Sequence, residues 1–278
     1  MGFALTVVLG KELADVGLYM PFVVALFSAG ASAALVALAG IRGELSRLSL
    51  GIRFVWLTLF YAIEIGFFFA ALSHGSASTI TLLFFTYPVW VGILAAARSR
   101  RLPTGRMQVA LVASVMGAAL IVGGGGNLSI DPFAITLSLV ASLLYGGYLY
   151  LLGAERSENP ILLGAAINAA TAVGLVGYSA IVSRASLVGI ETPQWVRIIA
   201  MSITQAVGIL CLVVGTRRIG AVRAAVISVA EPLFVASLAI LLLGERPGIP
   251  YGVGACLVVG SLLVSSYDRT GFGADSVP

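Results

Sequence analysis

Apolar residues run through this chain in stretches of about 20, the length a helix needs to cross the hydrocarbon core of a bilayer. Short polar, glycine- or proline-bearing turns separate the stretches. The pattern predicts spans at roughly 2–17, 19–41, 52–73, 77–98, 106–123, 132–153, 160–183, 195–216, 220–243 and 248–267. Turn and charge signals mark the breaks, among them Arg42-Gly43-Glu44, Arg100-Arg101-Leu102-Pro103, Glu155 to Pro160 and Glu245-Arg246-Pro247. The spans leave room for neither a soluble domain nor a long linker. The expected fold is all-α, a polytopic membrane protein with ten transmembrane helices, the first of them short.

The two halves repeat. A shift of 144 positions carries Pro88 onto Pro232, Pro103 onto Pro247, Arg53 onto Arg197, Gly30 onto Gly174 and Ala77 onto Ala221. This divides the chain into a first repeat, 1–127, and a second, 128–278. Five spans per half is an odd number, so the second copy should enter the membrane upside down, with a solute site near the pseudo-twofold axis. The arginines agree with that reading. With the N-terminus in the cytoplasm, most of them, including Arg42, Arg98 to Arg106 and Arg217-Arg218, fall on the cytoplasmic side, while the outer loops hold only Arg184, Arg197 and Arg246. Both termini are then cytoplasmic. The same shift makes the first span short, and an upstream start is the expectation.

Composition supports the membrane. The chain is 59% hydrophobic and 10% charged, against about 25% charged in a typical soluble domain. A formal charge of +4 could suggest nucleic acid, but the basic residues sit in alternate short loops and not on one face, so no nucleic-acid partner is expected. Cys211 and Cys256 both fall in apolar runs and read as packing residues. There is no disulfide framework and no metal spacing, and the N-terminus lacks the basic start and cleavage site of a signal peptide.

Against this background a few side chains stand out. Glu231 and Pro232 lie together inside an apolar run. An ionisable group at mid-depth costs about 2.5–3.5 kcal/mol on insertion scales, and proline removes a backbone donor. A polar cavity explains both: the acid can meet a solute or exchange a proton there, and the carbonyl that Pro232 frees at Ser228 needs a polar partner. Glu64, near the middle of the third span, carries the same penalty and serves either as a second cavity acid or as a helix-packing hydrogen bond. Tyr87 occupies in the first repeat the place of Glu231 in the second, and Pro88 that of Pro232, which makes the two prolines candidate hinges. Tyr61, Tyr87, Trp90, Tyr145 and Tyr148 offer aromatic faces with polar tips, either as core aromatics or as a cavity wall for an amino acid, aromatic or cationic solute. Gln205 and Asn168 either meet solute or bond across helices. Lys11, the single lysine, either snorkels to the interface or attracts an anionic solute group. His74, the single histidine, reads as a loop residue. Small-residue pairs such as Gly66–Ala70 and Ala113–Gly117 read as packing contacts.

Ser228-Val-Ala-Glu231-Pro232-Leu-Phe-Val-Ala, then Leu241-Leu-Leu-Gly244-Glu245-Arg246 and a glycine-rich last span, resemble the EamA family of the drug/metabolite transporter superfamily. Thr86-Tyr87-Pro88-Val-Trp90-Val-Gly92, with Gln108 and Gly117, resembles that family's other repeat. The resemblance implies ten helices in two inverted five-helix repeats, a central cavity and alternating access without ATP, with amino acids and similar metabolites as the usual exported solutes. Two positions depart from the family pattern. Phe27-Ser28-Ala29 stands where an arginine is common, and Arg101 stands where an acid is common, although Glu245 keeps the acid in the second copy.

These readings point to a secondary transporter, an exporter of amino acids or similar small metabolites driven by the solute gradient or by protons. A non-transporting scaffold or accessory subunit and a nucleotide-sugar-type carrier stay open as alternatives. An enzyme is not expected: there is no phosphate-binding Gly-Lys-Ser/Thr loop, no His-Glu-x-x-His pair and no Gly-x-Ser-x-Gly elbow. No cofactor or metal is expected either. The excess of arginine over lysine and the richness in Ala, Gly and Val suggest a bacterial inner membrane.

Overall fold

Proline has no backbone N–H to offer and a φ that already suits a helix, so it fits a helix's first turn, where that donor would be unpaired anyway. In the computed structural model of the chain, Pro21, Pro88, Pro132, Pro160, Pro193 and Pro250 each take the first or second position of a helix. The structure describes residues 5, 6, 9, 10, 12, 13, 16–45, 52–72, 74, 77–123, 131–154, 159–182, 189–231, 234 and 248–267. Its helices are α1 (Met20–Ile41), α2 (Ile52–Leu72), α3 (Ala77–Phe84), α4 (Tyr87–Ser99), α5 (Gly105–Gly123), α6 (Pro132–Ala154), α7 (Pro160–Val182), α8 (Thr192–Ile219), α9 (Ala221–Ser228) and α10 (Ile249–Tyr267). Residues 5, 6, 9, 10, 12 and 13, within the predicted first span, are also helical, and no strand occurs among the described residues. Five described stretches are long and apolar enough to cross a membrane: Met20–Ile41, Ile80–Ser99, Pro132–Ala154, Pro160–Val182 and Thr192–Ile219. Shorter apolar stretches lie in α2, α5 and α10.

Two predicted spans are interrupted. The span expected at 77–98 divides into α3 and α4 at a turn over Phe85 and Thr86, and the one expected at 220–243 stops at a turn over Val229 and Ala230. The hydrogen bonds at the two breaks match under the 144-residue shift. Phe85 N–H donates to Thr81 O at 3.0 Å and Thr86 N–H to Leu83 O at 3.1 Å; Val229 N–H donates to Ala225 O at 3.3 Å and Ala230 N–H to Ile227 O at 3.0 Å. The bounds of α3 map onto α9, and those of α5 onto α10, under the same shift. Pro88 starts α4 and does not bend a continuous helix. Pro232, its counterpart, lies outside the described residues.

The helices gather into two compact units, residues Met1–Ala62 with Glu155–Val214 and residues Ile63–Ala154 with Gly215–Pro278. Each unit draws on both sequence repeats. In the first, α1 packs along α7. A Cβ on Gly30 would collide with the side chain of Ser202, and one on Gly164 would come within 3.3 Å of Leu35, so glycine lets α1, α7 and α8 approach closely. Arg197 on α8 pairs with Glu12 at 2.8 Å, both side chains well exposed, an arrangement of little energetic worth.

In the second unit α5 packs along α10, α6 packs against α3 and α4, and α9 rests on α4 and α6. The α5–α10 contact is close at the backbone: a Cβ on Gly254 would stand 2.6 Å from Gly117 O, and one on Gly117 2.8 Å from Gly254 O. The expected packing role of Gly117 holds. Gly66 does not share it, because a Cβ there meets nothing within 4 Å among the described residues. Cys211 on α8 and Cys256 on α10 are exposed and not packed inside: each sits on the outward face of its helix, where a thiol is apolar enough to stay. His74 lies in a turn, edge-on to Phe133 at 5.2 Å.

Candidate functional site

A helix that stops in mid-membrane must find partners for its loose carbonyls. At the α3–α4 break Thr86 does this locally, its Oγ1 donating to Leu83 O at 2.6 Å and lying 2.9 Å from Ser142 Oγ on α6. One turn earlier on α6, Ser138 donates to Ile80 O at 2.8 Å. Two serines of α6 thus hold the interrupted helix in place. Gly146 and Gly153, further along α6, clear the way for it. A Cβ on Gly146 would stand 2.8 Å from Trp90 Cβ and 3.2 Å from Tyr87 O, and one on Gly153 3.0 Å from Ala221 Cβ.

The break aims Tyr87 inward. Its side chain is buried, 2% exposed, and its hydroxyl reaches Ala225 O at 3.5 Å, a long contact onto the matching break of the second repeat. The same hydroxyl interacts with Ser228 and lies within electrostatic reach of Glu231. Glu231 itself is half-buried. The two repeat-related positions, 87 and 231, therefore meet in one cluster. Around them Tyr87 and Tyr145 pack edge to face at 4.8 Å, Tyr145 lies 5.8 Å from the fully buried Tyr148, and Phe84 packs on Tyr145 at 5.3 Å and on Phe68 of α2 at 5.0 Å. Trp90 stands one turn along α4 from Tyr87. Its indole Nε1 is buried and has no hydrogen-bond partner among the described residues, and such a donor is uncommon in a settled core.

Glu64 is buried, 4% exposed, on α2. No hydrogen bond among the described residues joins it to Glu231, so nothing there makes the two acids a proton-sharing pair. Gln205, Tyr61 and Asn168 come together in the other unit. Gln205 Nε2 donates to Tyr61 Oη at 3.0 Å and to Asn168 Oδ1 at 3.3 Å, and Asn168 Nδ2 donates to Gly164 O at 2.9 Å. These bonds tie α2, α7 and α8 to one another. Gln205→Leu removes both amide bonds and should lower the thermal stability of the purified protein by about 1 kcal/mol, the usual scale for interhelical hydrogen bonds in membranes; an unchanged melting temperature would show that the network is slack. Lys11 and Pro232 lie outside the described residues.

Sequence reasoning found both positions of the break cluster but missed its supports: Ser138, Ser142, Gly146, Phe84 and Phe68. The Gly146–Gly153 spacing, two helical turns on one face, was the available signal for α6. Gly146→Val should push α4 away and cost about 1–3 kcal/mol by overpacking, read as a lowered melting temperature together with a shift in tryptophan emission as Trp90 moves.

The fold and this cluster define a polytopic integral membrane protein, all-helical among the described residues, with paired helix breaks. Residues 132–267 match the EamA-like transporter family. The uncharacterized transporter YcbK of Bacillus subtilis (strain 168) is 29% identical over 197 residues, which are 67% of this chain and 62% of that protein; the similarity thus spans less than two thirds of the relative. A protein known from its crystal structure shares the fold, with a TM-score of 0.79 at 18% identity, over 95% of each chain.

Proposed function

We propose that the protein is a secondary transporter that exports amino acids or similar small metabolites by alternating access, with residues 1–127 and 128–278 acting as inverted copies. One observation carries the proposal: at the two repeat-related helix breaks the buried Tyr87 and the half-buried Glu231 come within electrostatic reach of each other, one turn of α4 from the indole N–H of Trp90, which has no hydrogen-bond partner among the described residues. Glu231 is the group that exchanges a proton or holds the solute's cationic end. Tyr87, Tyr145 and Tyr148 supply aromatic faces, and the Trp90 N–H donates to a solute acceptor. Glu64 and the Gln205–Tyr61–Asn168 set are further contacts. Pro88, in the first turn of α4, and Pro232, its counterpart in the sequence repeat, are the hinges about which the breaks turn. The match to the EamA-like transporter family supports transport as the activity. The arginine distribution supports cytoplasmic termini, and the composition a bacterial inner membrane.

The test is flux. Purified protein is screened against a metabolite panel for thermal stabilisation, since a ligand that binds the folded state raises apparent stability by mass action. The hits are then followed as radiolabelled solutes in sealed vesicles. Saturable flux of a stabilising solute is expected. Protein that moves none of the panel and instead copurifies with one fixed partner would overturn the proposal in favour of an accessory subunit.

A further inference from the structure

Away from the break cluster, and wholly within the first unit, a cavity of about 240 Å³ opens where α1 ends, lined by Arg42, Glu44, Asn159, Ile161, Leu210 and Val214. Its rim is built by a helix stop. Gly43 takes φ 67°, Gly43 N–H donates to Gly40 O at 3.0 Å and Glu44 N–H to Ala39 O at 2.9 Å. This double closure, with a left-handed glycine just past the helix end, fixes the backbone on both sides of it. Arg42 and Glu44 flank that glycine. Asn159, buried at the start of α7, then holds the acid: its Nδ2 donates to Glu44 Oε2 at 3.0 Å and to Glu44 O at 3.3 Å. Its Oδ1 is spent on the N–H groups of Ile161 and Leu162, at 2.9 and 3.1 Å.

At the mouth of the cavity Arg42 is exposed and Glu44 half-buried. Arg42 and Glu44 stand two residues apart on one cavity, yet form no ion pair with each other among the described residues. A neutral amide positions the carboxylate, and the guanidinium keeps its donors. Behind them the wall is aliphatic, from Ile161, Leu210 and Val214. A site with a cation that pairs with no acid among the described residues, an anion held by an amide and an apolar back complements a small molecule that carries both charges. The cavity is smaller than the roughly 300–1,000 Å³ of drug-sized sites, which suits a small occupant.

We propose that this cavity binds a small zwitterion, its ammonium on Glu44 and its carboxylate or phosphate on Arg42. Two sources share that chemistry: a free amino acid and the headgroup of an ethanolamine phospholipid. The site stands apart from the transport reading and holds or falls without it.

The test uses the purified full-length chain in detergent, with thermal stabilisation measured against alanine, short-chain phosphatidylethanolamine, and the single-charge probes ethylamine and acetate. The expected result is saturable stabilisation by a zwitterion and by neither single-charge probe, weakened about tenfold or more in Arg42→Gln and in Glu44→Gln. Glu44→Gln keeps an acceptor for Asn159, so the helix stop survives the change. Response to alanine assigns a free solute; response to the phospholipid alone assigns a lipid headgroup. If no zwitterion stabilises the protein, or if both variants bind as tightly as the parent, the site is overturned, whatever the vesicle flux shows.

Discussion

Replacing Glu231 with glutamine is expected to lower solute flux into sealed vesicles by about 100-fold, the rate equivalent of about 2.7 kcal/mol. Glutamine keeps the size and one acceptor of the acid but removes its charge and its exchangeable proton. Its neighbours at the break, Tyr87 and Ser228, can hydrogen-bond to an amide as well as to an acid, so the variant should fold and keep its melting temperature. Flux in the parent should also change across pH, while the residual flux of the variant should not. Wild-type rates across the pH range in both Glu231→Gln and Glu64→Gln would remove the carboxylates from the mechanism even if transport survived.

The second large effect concerns folding. Gly254→Val should prevent α5 and α10 from docking. The first added carbon would lie 2.6 Å from Gly117 O and 3.0 Å from Ile121 N, and backbone atoms cannot rotate away as a side chain can. Overpacking a core typically costs about 1–3 kcal/mol, and a backbone collision belongs at or above the top of that range. The expected outcome is little folded protein on size-exclusion chromatography in detergent. Gly252→Ala, where a Cβ meets nothing within 4 Å among the described residues, is the matched control and should behave as the parent. Equal yields from the two variants would mean that the helices are not held at this distance.

The places where the chain turns were legible in the sequence because proline and glycine act locally. Pro88 and Pro232 gave the shift of 144, and the breaks at Phe85-Thr86 and Val229-Ala230 follow it position for position. Tyr87 and Glu231 were legible as equivalent sites for the same reason. What stayed hidden depends on which face of each helix turns inward. In a soluble protein the polar stripe reports that face. Here the lipid is as apolar as the core, so the stripe is missing. Gly117 and Gly66 look alike in sequence, yet a Cβ on one meets a backbone and on the other nothing among the described residues. Cys211 and Cys256 were expected inside and point outward. Ser138 and Ser142 look like ordinary small residues of α6 until the carbonyl and hydroxyl they serve are placed beside them. The cavity at the end of α1 was invisible for a further reason: it joins Glu44 to Asn159, across a long separation in sequence, and no local pattern announces such a meeting.

The two outward thiols have a practical consequence. Cys211 belongs to the unit formed by Met1–Ala62 and Glu155–Val214, and Cys256 to the unit formed by Ile63–Ala154 and Gly215–Pro278. They are the only cysteines of the chain, so nature has supplied one labelling handle per body. Spin labels attached to both would turn the unaltered protein into its own molecular ruler, and a distance distribution that changes when solute is added would report domain motion without a single engineered residue.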